Sequence, residues 1–116
     1  MNMTEAIVIN TWKDRNKIIR ALGWNSYREY LKSELWKKIR ARVIERDGGR
    51  CRLCLWFASD VVHHIEYLPD VLMGKNIDDI ICLCHKCHHA CEFKGYKKRD
   101  LYGARQATRA RLAKVF

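Results

Sequence analysis

Two cysteine pairs, Cys51-Arg52-Leu53-Cys54 and Cys84-His85-Lys86-Cys87, stand 29 residues apart in a chain of 116 residues. A CxxC pair puts two thiolates on one tight turn, where both can bind a single ion. Two such turns complete a tetrahedral Cys₄ set of the kind that holds zinc. With all four ligands supplied by protein the site is closed, so the zinc is expected to be structural and to contribute folding free energy directly. Between and just after the pairs lie His63, His64 and His88. Imidazole is the commonest transition-metal ligand and the side chain that titrates near neutrality, so three of them around one metal-stapled segment make a candidate catalytic site. Cys82, inside the apolar run Ile80-Ile81-Cys82-Leu83, and Cys91 are surplus to the pairing and are read as small buried residues.

The stretch between the pairs is longer than a bare zinc ribbon needs. Residues 59–67, SDVVHHIEY, form a β-branched run, Pro69, Gly74 and Asn76 mark a loop, and Asp79 to Leu83 returns as a second extended run. The segment HKCHHACEFKG then fits a short helix ending at Gly95. The order strand, loop, strand, helix is a small ββα finger pinned at both ends by zinc. On a strand, adjacent His63 and His64 point to opposite sides.

Upstream, Trp12, Ile18, Ile19 and Leu22 suit a short amphipathic helix stopped by Gly23, and Ser26 with Glu29 spells a capping box. Apolar residues recur at helical spacing from Tyr27 to Ile44, in one helix or in two, since Ser33-Glu34 offers a second start. Gly48-Gly49 ends that run. Trp36 is expected in the core. Downstream, residues 95–116 suggest a basic helix with Leu101, Ala104, Leu112 and Val115 on its apolar side. The expected class is therefore α+β, a zinc-stapled ββα finger flanked by N- and C-terminal helices. One domain covers residues 1–116, with a basic helical part at 1–32, the finger region at 33–94 and the basic helix at 95–116.

The formal net charge is +10, and its distribution is uneven. Residues 1–50 carry 12 basic and 6 acidic side chains, residues 51–93 carry 3 and 6, and residues 94–116 carry 8 and 1. Two basic flanks surround an acidic middle that holds every cysteine and histidine. The flanks suit a polyanion, and Lys37, Arg40, Arg42, Lys97, Lys98, Arg99, Arg105 and Arg109 are the candidate nucleic-acid contacts. Contacts of this kind grip phosphate without reading sequence. No stretch approaches the roughly 18 apolar residues of a membrane span, and MNMTEAIVINTWKDR lacks the pattern of a secretory signal. The expected setting is cytoplasmic, where clustered Cys and His serve metal better than disulfides.

Residues 33–92, SELWKKIRARVIERDGGRCRLC…VVHHIEY…DDIICLCHKCHHACE, resemble the HNH endonucleases, also called His-Me finger nucleases. The likeness is to the group with a Cys₄ zinc, a leading S-x-x-W-x-x-I/L-R helix, an HH-x-x-Y strand and an L-C-x-x-C-H helix. It implies that His64 is the general base acting on water, and that His63 and His88 hold one divalent ion, Mg²⁺ or Mn²⁺, against a phosphodiester of double-stranded DNA. It also implies a phage or mobile-element setting. Two positions depart from the family. The central Asn is replaced by Asp79, with Asn76 as a rival, and a further His is replaced by Glu92.

Two other readings compete. Cys84-His85-Lys86-Cys87-His88 also spells the CxxCH of c-type haem attachment, which predicts export and leaves the second CxxC without a use. A zinc module that only binds nucleic acid shares the cysteines and the charge but gives His63, His64 and His88 no common purpose.

Overall fold

The computed structural model describes residues 8–115. It is a small α+β arrangement of helices, two short antiparallel sheets and a cluster of four cysteines. Helix α1 (Trp12–Ala21) begins at a full capping box, in which the Thr11 hydroxyl accepts from the Asp14 amide and the Asp14 carboxylate covers the Thr11 amide. The run from Tyr27 to Asp47 is two helices, α2 (Tyr27–Leu31) and α3 (Glu34–Asp47), because the Ser33 hydroxyl accepts from the Trp36 amide and starts the second. Ser26 caps α2, while the Glu29 carboxylate covers the amide of Asn25, one residue earlier than a standard box. Helix α3 stops at Gly48, whose φ of 66° is the left-handed conformation that an added side chain would strain.

Strands β1 (Val61–His64) and β2 (Ile80–Leu83) pair antiparallel, and β1 is shorter than its β-branched run suggests. The intervening segment is not all loop: Pro69 opens a short helix, α4 (Pro69–Leu72), by presetting φ at the first helical position. Gly74 follows with φ 78°, and a Cβ there would lie 2.6 Å from Ile39 Cγ1, so this turn packs directly on α3. Helix α5 (His85–Glu92) ends three residues before Gly95. Residues 93–98 then form a hairpin, β3 (Phe93–Lys94) with β4 (Lys97–Lys98). The last helix, α6 (Leu101–Leu112), therefore starts later than the basic run, where Asp100 caps the amide of Gly103. Its buried side is Leu101, Ala104, Ala107 and Thr108.

Strand β2 is buried on both faces, which is why its sequence shows no polar alternation. Ile80 and Cys82 face a core built by Ile19, Tyr30, Trp36, Ile39 and Val43. Ile81 and Leu83 face a second core with Cys51, Cys84 and Cys91. The two cores share one four-residue strand as their common wall.

Asp47 joins α3 to this wall. Its side chain is 1% exposed; one oxygen accepts from Arg46 Nε (2.8 Å) and Arg52 (2.9 Å), and the other accepts from the Cys82 amide (3.0 Å). Arg46 in turn donates to the carbonyls of Ile77 and Ile80. Burial pushes the Asp47 carboxyl up, but the hydrogen bonds from Arg46, the Cys82 amide and Arg52 outweigh it and hold its pKa below the usual value. Removing one partner leaves the others uncompensated. Asp47→Ala should cost on the order of 3 kcal/mol in denaturant unfolding at pH 7. A carboxyl with a depressed folded pKa stabilises fully above its unfolded value of about 3.9 and progressively less as pH falls through the folded one. The gap between wild type and variant should therefore narrow below about pH 4. A gap of less than about 0.5 kcal/mol at pH 7 would mean that the clamp carries no weight.

Candidate metal centres and active-site cavity

The first centre forms where the turn after α3 meets the start of α5. Cys51, Cys54, Cys84 and Cys87 bring their sulfurs within 4.8 Å of one another, with Cys54 and Cys84 Sγ 3.9 Å apart. Ligands at about 2.3 Å around a tetrahedral zinc stand roughly 3.8 Å from each other, so the set fits the ion. Local geometry prepares the turn: the Leu55 amide donates to the Cys51 carbonyl (3.0 Å), and Leu55 itself takes φ 64°, a conformation rare outside glycine. The thiols differ in acidity. Burial raises Cys54, yet amides of Phe57 and Trp56 and the neighbouring thiols bring it down to about 7, whereas burial drives Cys84 and Cys87 up. Bound by four sulfurs, a divalent cation would stabilise the thiolate forms that burial and crowding oppose at Cys84 and Cys87. Cys82 and Cys91 lie apart from this set, each 0% exposed in the core.

The second centre comes from the strand register. His63 lies opposite Ile81 and His64 opposite Ile80, so the two rings leave β1 on opposite sides. His63 turns toward α5, where His88 and Glu92, four residues apart on one helical face, wait for it. His63 Nδ1 is 3.5 Å from Glu92 Oε1, and His88 Nε2 is 3.6 Å from the same oxygen. The three groups lie within 4.8 Å of one another, one carboxylate and two imidazoles, a donor set able to hold a divalent cation. Burial pushes the His63 pKa down to about 4, against the opposing pull of Glu92, so the ring is neutral and able to ligate near pH 7. Burial raises Glu92, but its contacts with His88 and His63 prevail and keep it ionised.

His64 turns the other way into an aromatic box. Its ring stacks on Trp36 (4.6 Å between centroids) and Tyr67 (5.3 Å), and its Nδ1 is 2.8 Å from the Tyr27 hydroxyl. Only 2% of the residue is exposed, Nε2 is buried without a hydrogen-bond partner, and burial drives its pKa down to about 3. Asp79 is not its side-chain partner: that carboxylate lies 3.5 Å from Arg109, and the Asp79 carbonyl accepts from the Ile65 amide (2.7 Å), closing the strand pair just beyond His64. The carboxamide of the rival, Asn76, is spent on the amide of Asp78.

Both histidines open onto one cleft of about 510 Å³, whose other walls include His88, Glu92, Trp12, Tyr27 and the cations Arg15, Arg40 and Lys98. Arg15 lies over the rings of Tyr27 (4.1 Å) and Trp12 (4.9 Å), and Lys98 approaches Trp12 from the hairpin (4.9 Å). The expected phosphate contacts divide. Arg40, Lys97 and Lys98 are exposed, and Lys37 makes an exposed pair with Glu34. Arg42 donates to the Gly74 carbonyl, and Arg105 and Arg109 both hold Glu66 at 2.9 Å. Arg99, half-buried, follows the hairpin that its amide anchors to the Glu92 carbonyl. Arg15, Tyr27 and Glu92 are site residues that the pattern of Cys and His does not announce. The i, i+4 spacing of His88 and Glu92 is the one signal that points to any of them.

No protein-family model matches the chain, and no curated protein matches its sequence. Among the described residues no helix is long and apolar enough to cross a membrane.

The cysteine centre makes a plain prediction. Cys51→Ser should abolish stoichiometric zinc, measured by elemental analysis, and prevent cooperative thermal unfolding, because metal binding and folding are one event in such sites. Cys82→Ala should keep one zinc per chain and lose only on the order of 1 kcal/mol. Zinc retained by Cys51→Ser, or lost by Cys82→Ala, would contradict the ligand set.

Proposed function

We propose that the protein is a metal-dependent DNA endonuclease of the HNH, or His-Me finger, type, with β1, β2 and α5 as its ββα-metal finger and a structural zinc at the four cysteines. The observation that carries this reading is the second cluster: His63, His88 and Glu92 meet in one cleft with Arg15, Arg40 and Lys98, as a group separate from the four cysteines. Glu92 takes the place of the histidine expected by family resemblance, and a carboxylate with two imidazoles suits a transition ion such as Mn²⁺ better than Mg²⁺, which prefers oxygen ligands. When bound, such an ion supplies Lewis-acid stabilisation to a phosphodiester oxygen.

The chain's own groups do the rest. Arg15, Arg40 and Lys98 line the approach to the cleft and suit the phosphates on either side of a scissile bond; Arg15 is held over aromatic rings and so is oriented before substrate arrives. His64 is neutral at working pH and its Nε2 has no hydrogen-bond partner, so it can take a proton from water once the box around it opens and its burial, which holds its pKa at about 3, is relieved. Tyr27 fixes the orientation of its ring. Asp79 serves that orientation through the backbone, by tying the end of β1 to β2. The basic flanks, through Lys37, Lys97 and Lys98, give affinity for duplex DNA without base reading.

One observation favours a second reading, a zinc-stapled module that binds nucleic acid and does not cut. Nε2 of His64 is buried without a partner, so catalysis requires the aromatic box around it to open when substrate binds. Plasmid nicking separates the two. Zinc-loaded wild type with Mg²⁺ or Mn²⁺ should nick or linearise supercoiled DNA, and His64→Ala and His63→Ala should each lose at least about 100-fold in rate while keeping zinc and fold. Binding without cleavage across several divalent metals would establish the second reading instead.

A further inference from the structure

Thr108 lies on α6, outside the stretch that resembles a known family, and is 0% exposed. It is one of three buried polar or charged residues among those described, and the other two are His63 and His64. A buried hydroxyl inside a helix is an expensive choice where valine fills the same space. This one has a single proton, and its geometry assigns that proton. The Thr108 hydroxyl is 2.8 Å from the Ala104 carbonyl one turn back, an oxygen that can only accept. With its proton given there, the hydroxyl has lone pairs alone for its other neighbours, the Cys91 thiol, which can donate to it, and Nε2 of His63, at 3.3 Å. Nε2 then carries the hydrogen and donates it, and a cation between Nδ1 and the Glu92 carboxylate, which lie 3.5 Å apart, favours the same tautomer. Nδ1 is left bare, and Nδ1 is the atom that faces Glu92 and His88.

We infer that Thr108 sets the tautomer and ring orientation of His63, so that helix α6 is a working part of the divalent-ion site. The inference rests on the reading of His63, His88 and Glu92 as ligands. Helix α6 is anchored for this purpose: Arg109, next to Thr108, holds Glu66 at 2.9 Å and Asp79 at 3.5 Å, and Arg105 holds Glu66 at 2.9 Å. These pairs tie the helix to the end of the strand pair where β1 finishes and β2 begins, next to His63. Thr108 is a positioning residue. It makes no contact with substrate, and its effect passes through the imidazole, as with the hydrogen-bond partners that orient metal-bound histidines generally.

The test uses full-length, zinc-loaded protein as wild type, Thr108→Ser and Thr108→Val. Imidazole ¹⁵N shifts report which ring nitrogen of His63 bears the proton, and Mn²⁺ titration reports the ion site. Wild type and Thr108→Ser should show His63 protonated on Nε2 and should bind Mn²⁺ within about twofold of each other. Thr108→Val should bind Mn²⁺ some 10–100-fold more weakly while keeping its zinc, a loss that a purely structural role would not confine to one site. His63 protonated on Nδ1 in the wild type, or Mn²⁺ bound equally well by Thr108→Val, overturns the inference. Should Thr108→Val fail to fold, the wild-type tautomer and the serine variant decide alone. A wild type that binds no Mn²⁺ sinks the ligand reading of His63, and the wild-type tautomer still tests Thr108 separately.

Discussion

Successive residues of an antiparallel pair face opposite sides, and the register that sets His63 against Ile81 and His64 against Ile80 therefore decides where each reactive ring goes. One ring reaches the ligand face of α5 and the other enters the aromatic box under α2 and α3. A slip of one residue would exchange them, placing a potential metal ligand among tyrosines and the boxed histidine beside Glu92. Four residues of pairing are few to resist such a slip. The strands divide two cores, with Ile80 and Cys82 in one and Ile81 and Leu83 in the other, and polar contacts at the strand ends help to hold the register.

Polar anchors reinforce that division at both ends of β2. At one end the Asp47 carboxylate receives the Cys82 amide together with Arg46 and Arg52, so the helix before the first cysteine pair and the strand before the second are fastened at one point. At the other, Asp79 and Glu66 meet Arg105 and Arg109 of α6. The Cys₄ cluster closes the remaining side. This arrangement changes the meaning of the basic flanks. Part of the positive charge is internal fastening, in Arg42, Arg46, Arg105 and Arg109, while Arg40, Lys97 and Lys98 are among the exposed cations outside it.

The four-cysteine cluster was legible from spacing alone, because two CxxC turns have few other uses. The divergence of His63 and His64 was legible from the two-residue period of a strand, and Ser26 and Ser33 marked helix starts, whereas the Thr11 cap emerges only in the fold. Less local features were not. The hairpin at 93–98 interrupts a basic run that looks continuous, since its lysines fit an exposed strand as well as a helix. Glu92 looked like a missing histidine until α5 put it one turn from His88. Tyr27, Arg15 and Thr108 meet the histidines across 37, 49 and 45 residues of sequence, and no periodicity within one segment reports a contact between segments. Asp79 was expected beside the base, but the nearer opposite charge of Arg109 takes its carboxylate.

The account depends on two metal centres with different ligands and different metals. Anomalous diffraction from crystals grown with zinc and soaked in Mn²⁺, recorded at the absorption edge of each metal, locates both ions directly. The account predicts zinc among Cys51, Cys54, Cys84 and Cys87, and manganese bound by His63 Nδ1, His88 Nε2 and Glu92. Manganese absent from that cluster, or bound with His63 turned away from it, would contradict the claim.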